Sequence, residues 1–131
     1  MVDDGHSPPQ ARPLILVVED EPLVRALACD ILEDGGFRSL EAGSAREAIA
    51  IIAARTNIAI LFTDVDMPGE INGVGLAYLV SKQAPEVKIV VTSGAGARTA
   101  DDLPANARFL LKPYSPATLI DLIGGLLAAE R

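Results

Sequence analysis

The chain has 131 residues, half of them apolar, which fits one domain with a single well-formed core and excludes a disordered chain or a small disulfide-held scaffold. Eleven basic against 18 acidic residues give a net charge of −7, and there is no Trp and no Lys/Arg cluster, so the phosphate neutralisation behind direct nucleic-acid binding has no source. No apolar run approaches the roughly 18 residues of a membrane span.

The polar start, Met1 to Arg12, lacks the basic head and apolar centre of a signal peptide. Residues 1–12 are therefore expected to be a flexible tail on a cytoplasmic protein, with residues 13–131 forming the folded domain and His6 solvated in the tail. Leu14 to Val18 reads as a first buried strand ending at Glu19-Asp20. Pro22 suits a first helical turn, Gly35-Gly36 a helix stop, and Leu23, Leu27 and Ile31 with Val24, Ala28 and Leu32 mark the expected buried face. Cys29 sits among these positions as a small buried hydrophobe and has no internal disulfide partner.

Phe37 to Ala42 alternates with Arg38, Ser39 and Glu41, as an edge strand does. Ser44 and Glu47 form a capping box that opens a helix with Ala45, Ala48, Ile49 and Ile52 inward. Ile58 to Phe62 is an apolar run too short for a helix, and it leads straight into Thr63-Asp64-Val65-Asp66 and the breaker Met67-Pro68-Gly69. Asn72-Gly73 starts a helix through Leu76, Leu79 and Val80. Val87 to Val91 forms a fourth strand ending in Thr92-Ser93-Gly94, and Phe109 to Leu111 a short fifth one ending at Lys112-Pro113. Between them, Ala95 to Asn106 carries Gly96 and Pro104 and has room for one or two helical turns. Ser115 and Pro116 open a last helix, which Gly124-Gly125 weakens by about 1 kcal/mol per glycine.

Strand and helix alternate along the whole chain, which predicts an α/β domain with a parallel sheet between two helical layers. In the flavodoxin-like, doubly wound order 2-1-3-4-5, all strand ends share one rim, and strands one and three flank the switch point where such sheets bind ligands. Glu19, Asp20 and Asp64 then converge beside Thr92 and Lys112. Two like charges at about 4 Å repel by roughly 4 kcal/mol at an effective dielectric near 20. One lysine cannot offset three acids, so a carboxylate takes up a proton or a cation binds, and oxygen donors favour Mg²⁺. A hydrated cation, a hydroxyl and an ammonium together make a receptor for a phosphoryl group, with Asp64 as a candidate nucleophile.

At this point the chain resembles the receiver domains of two-component response regulators, the chemotaxis type included. Val17-Val18-Glu19-Asp20-Glu21-Pro22, Asp64-x-x-Met67-Pro68-Gly69, Thr92-Ser93-Gly94 and Lys112-Pro113-Tyr114 fall in the family's order, over about Pro13 to Ala129. The resemblance implies that Asp64 is the phosphoacceptor and that Glu19, Asp20, Asp64 and the backbone carbonyl of Asp66 hold Mg²⁺. It implies that Thr92 and Lys112 contact the phosphoryl group, that Phe109 acts with Thr92 as a switch, and that the Lys112-Pro113 bond is cis. It further implies a histidine kinase or histidine phosphotransfer protein as donor, a downstream protein partner, and a monomer or phosphorylation-dependent dimer. Such a chain modifies itself at Asp64 and is not a turnover enzyme. Two departures stand out: Pro68 to Gly73 is one residue longer than the family's loop, and the span from Thr92 to Lys112 is short, so its helix is expected to be short or irregular. The rival readings are a haloacid-dehalogenase-like phosphatase, whose Asp-x-Asp motif resembles Asp64-Val65-Asp66, and a scaffold that works without phosphorylation. In that phosphatase family the metal-binding acids follow the lysine, whereas Glu19-Asp20 precede every other motif here.

Overall fold

A computed structural model describes residues 11–94 and 103–129. Its strands are β1 (Leu14–Val18), β2 (Arg38–Ala42), β3 (Ile58–Asp64), β4 (Lys88–Ser93) and β5 (Ala107–Leu111). The described helices are α1 (Pro22–Asp34), α2 (Ala45–Ala54), α3 (Gly73–Gln83) and α4 (Pro116–Ala128). All five strands are parallel in the order β2-β1-β3-β4-β5, as expected from the alternation of strands and helices.

Two apolar layers follow from strand alternation, because successive side chains leave opposite faces of the sheet. Leu14, Leu16, Leu61, Ile89 and Val91 pack with Ala48, Ile52, Leu76 and Val80 of α2 and α3. Ile15, Val17, Ile60, Phe62 and Val90 pack with Ala28, Cys29 and Leu32 of α1 and Leu119 and Ile123 of α4. Local sequence caps three of the four described helices. The Ser44, Asn72 and Ser115 side chains accept from the N–H groups of Glu47, Gly75 and Thr118, which satisfies otherwise orphaned donors.

Two expectations change, and a third falls outside the described residues. In α1, Leu23 and Leu27 are 85% and 61% exposed and Val24 is exposed as well, while Ala28, Cys29 and Leu32 are buried. The apolar stripe is wider than the surface the sheet covers, so its first turns face solvent. β5 begins at Ala107 and not Phe109, because Ala107 pairs with Ile89 even though exposed Arg108 interrupts the apolar run. The expected helical turns of Ala95 to Asn106 fall largely on residues 95–102, outside the described residues, and residues 103–106 form a turn in which Ala107 N–H donates to Pro104 O at 3.0 Å. His6 and most of the expected tail also lie outside the described residues.

One glycine governs how closely α3 approaches the end of β3. A Cβ on Gly73 would lie 2.0 Å from the Asp64 carbonyl oxygen, and the Gly73 N–H donates to Val65 O at 3.0 Å. A Cβ on Gly125 of α4 would meet nothing within 4 Å. Gly125→Ala is therefore expected to stabilise the chain by about 0.5–1 kcal/mol, from helix propensity and a less flexible unfolded chain. Gly73→Ala is expected to destabilise it by about 1–3 kcal/mol through overpacking against backbone. Urea unfolding midpoints, shifted in opposite directions, check both.

Candidate functional site

The site is built from strand ends. Asp64 is the last residue of β3, shares a face with Phe62 two residues earlier, and is buried where the sheet gives way to loop. Glu19 follows β1 directly and is buried too, while Asp20 is half-exposed. Glu19, Asp20 and Asp64 each offer an oxygen, all within 4.8 Å of one another. Lys112 follows β5, and its ammonium lies 3.3 Å from Asp64 Oδ1 and 3.5 Å from Glu19 Oε1.

The electrostatics are unbalanced. Two carboxylates 4.8 Å apart repel by about 3.5 kcal/mol at an effective dielectric near 20, and one ammonium serves three of them. Burial pushes the Glu19 carboxyl above the usual carboxylate range. The Glu21 N–H, donating to Glu19 Oε2 at 3.1 Å, pulls the other way, Asp64 adds to the rise, and Lys112 opposes it. Because the folded-state pKa is raised, the stability linked to protonated Glu19 is present at low pH and is lost as pH rises through that value. Once ionised, Glu19 thus weighs against the fold, a cost that a bound cation would offset. Three carboxylate oxygens with one half-exposed member suit a hard divalent cation that keeps part of its water shell.

Thr92 is the in-register neighbour of Asp64, and its carbonyl accepts from Val65 N–H at 2.9 Å. Its buried hydroxyl, however, donates to Leu110 O at 2.7 Å and so engages β5. Phe109 is half-buried and packs with the α2–α3 layer, across the sheet from the acids. The Asp66 side chain is exposed and accepts from the Ser93 hydroxyl at 3.0 Å, tying the β3–α3 loop to the end of β4. The Lys112-Pro113 peptide is cis. The structure therefore groups Glu19, Asp20, Asp64 and Lys112 directly, has Thr92 beside them with its hydroxyl turned away, and leaves Phe109 in the other layer.

Two neighbours were not assigned to the site from the sequence, although Tyr114 belongs to the Lys112-Pro113-Tyr114 motif. Tyr114 lines a small cavity of about 10 Å³ together with Glu19, Asp64, Thr92, Lys112 and Val24. Its ring meets Phe62 edge-on with centroids 5.9 Å apart, and burial, then Glu19 and Asp64, push its phenol up. Its place two residues after Lys112 was a usable signal. Arg25 bonds the Glu19 carbonyl oxygen from α1, and a lone arginine within a helical pattern offered no such signal.

With this geometry in view, comparisons with known proteins agree on a family. The family model described as response regulator receiver domain matches residues 15–124. The chain is 39% identical over 83 residues to the nitrogen assimilation regulatory protein NtrX of Azorhizobium caulinodans, covering 63% of this chain and 18% of that protein. It is 35% identical over 120 residues to the sensor kinase CckA of Brucella abortus, covering 88% of this chain and 13% of that protein. It thus spans a small part of these relatives' length. Against the rice two-component response regulator ORR5 it is 30% identical over 120 residues, covering 88% of this chain and 89% of the relative. Among solved structures, the response regulator receiver protein of Sinorhizobium medicae superposes with a TM-score of 0.86 at 26% identity, over 93% of this chain and 99% of that one. The Thermotoga maritima response regulator TrrA, solved with Mg²⁺ and BeF, shares the fold with a TM-score of 0.78 at 24% identity, over 87% of this chain and 98% of that one. The chain belongs to the response regulator receiver domain family.

Proposed function

We propose that this chain is the phosphoacceptor of a cytoplasmic two-component relay, in which Asp64 takes a phosphoryl group from the phosphohistidine of a histidine kinase or phosphotransfer protein. The observation that supports this best is the Lys112 ammonium lying within 3.5 Å of both Asp64 and Glu19 at the rim of the sheet. Glu19, Asp20 and Asp64, with the Asp66 backbone carbonyl, would hold Mg²⁺, which when bound supplies a positive charge opposite the phosphoryl oxygens.

The chain's own residues account for the rest of the transfer. An Asp64 carboxylate oxygen forms the bond to phosphorus as the phosphorus–nitrogen bond of phosphohistidine breaks, and the imidazole leaves with that electron pair. Lys112, already beside Asp64, balances the charge gathering on the phosphoryl oxygens. The new group carries about −1.5 to −2 charge and strong acceptor oxygens. These compete with the Leu110 carbonyl for the Thr92 hydroxyl, whose loss from β5 would release the strand on which Phe109 lies. The output is a shift between two packings of β4 and β5, read by a protein partner. Exposed Leu23, Val24 and Leu27, with Val24 lining the Asp64 cavity, give the donor protein an apolar surface beside the reacting carboxylate.

Acetyl phosphate with Mg²⁺ is expected to add one phosphoryl group to the wild type and none to Asp64→Asn, read by intact mass. Labelling that survives this substitution would contradict the assignment. Mg²⁺ at ten times its Kd is expected to add about 1.4 kcal/mol of stability, seen as a Tm rise of a few degrees that EDTA reverses. Leu23→Asp with Leu27→Asp is expected to slow transfer from a phosphohistidine protein about tenfold while leaving labelling by acetyl phosphate within twofold. Equal losses with both donors would mean that this surface does not serve docking.

A further inference from the structure

The turn between β1 and α1 carries two of the three acids, yet ordinary helix-start chemistry does little to fix it. Glu21, at the N-cap of α1, makes no side-chain cap bond. The turn is gripped instead from the helix it precedes. Arg25 Nη1 donates to the Glu19 carbonyl oxygen at 2.8 Å, and Arg25 Nε donates to Glu41 Oε1 at 2.8 Å. The guanidinium side chain is only 19% exposed. The absence of a side chain at Gly43 leaves it room, since a Cβ there would come 3.3 Å from Nη1. The end of β2 is tied to the same turn a second time, as Glu19 N–H donates to Ala42 O at 3.1 Å.

These bonds fix the Glu19-Asp20 peptide group on both of its neighbours' sides. The Glu19 carbonyl is held by Arg25, and the Glu19 carboxylate is held by the Glu21 N–H. With the peptide groups on both sides of Asp20 held, one through the Glu19 carbonyl and the other through the Glu21 N–H, the direction in which the Asp20 side chain leaves the backbone is set as well. Removing a partner that orients a ligand residue typically weakens metal binding by about 10–100-fold.

We infer that Arg25 is a positioning residue for the divalent cation: its guanidinium, anchored on Glu41, holds the Glu19 carbonyl so that Glu19 and Asp20 face Asp64. This rests on the reading above that these acids hold Mg²⁺. A positioning role and a plain charge effect predict opposite signs. Removing a positive charge near the acids strengthens their attraction for Mg²⁺, whereas releasing the turn weakens binding. Lysine separates the two further, since it keeps the charge but cannot fork between the carbonyl and the carboxylate.

The test is calorimetric titration of Mg²⁺ alone into the full-length wild type, Arg25→Ala and Arg25→Lys, with Tm recorded for each. The inference expects Kd to rise about tenfold in Arg25→Ala. It also expects Arg25→Lys to be weakened about threefold or more, and both variants to unfold cooperatively. A Kd for Arg25→Ala that is unchanged within twofold, or lower than that of the wild type, overturns the inference and leaves the proposed cation site standing. Should Arg25→Ala fail to fold, Arg25→Lys decides on the same terms, and wild-type affinity in that variant overturns the inference. A wild type that takes up no Mg²⁺ overturns the cation reading itself and this inference with it.

Discussion

Three carboxylates and one ammonium crowd the C-terminal rim of the sheet, and the surrounding fold has to hold groups together that repel each other. Parallel strands make this possible, because their ends share one rim while the strands behind them supply a rigid apolar base. Short ties at the rim then keep the acids from moving apart. Gly73 lets α3 press on the Asp64 carbonyl, Val65 N–H bonds Thr92 O, and Arg25 grips the turn beyond β1. The crowding of like charges is what would favour a cation at this rim.

The same rim links Asp64 to the last strand of the sheet through Thr92. Asp64 pairs with Thr92 across β3 and β4, and Thr92 pairs with Leu110 across β4 and β5. The Thr92 hydroxyl bonds the Leu110 carbonyl, so its partner lies one strand further from the acids than a phosphoryl group on Asp64 would. Phe109, one residue before Leu110, projects into the opposite helical layer. A change in the hydroxyl's partner on one face of the sheet can therefore reach packing on the other through a single strand, without any long chain of contacts.

Helix α1 combines two roles that its sequence superimposes. Its exposed first turns present Leu23, Val24 and Leu27 beside the acid cavity, while Arg25, between them, turns back toward β1 and β2. Buried Ala28, Cys29 and Leu32 anchor the later turns on the sheet. The helix is thus apolar on more of its circumference than packing requires, and the surplus lies beside the cavity lined by Glu19 and Asp64, where the proposed donor would approach.

Much of this was legible without coordinates, for reasons that are local. Buried parallel strands are short apolar runs whatever surrounds them, so β1, β3 and β4 could be read from residues alone, and the caps at Ser44, Asn72 and Ser115 act within a single turn of chain. The acids at the ends of β1 and β3 and the lysine after β5 stood out because polar residues interrupt those runs. What tertiary structure alone decided was orientation and partnership. Helical periodicity marks a stripe but not how much of it a sheet covers, so the exposure of Leu23 and Leu27 depended on where the sheet ends. The Thr92 hydroxyl chose Leu110 and Arg25 chose Glu19 and Glu41 because separate strands bring those acceptors within hydrogen-bond reach, a proximity that no local pattern encodes.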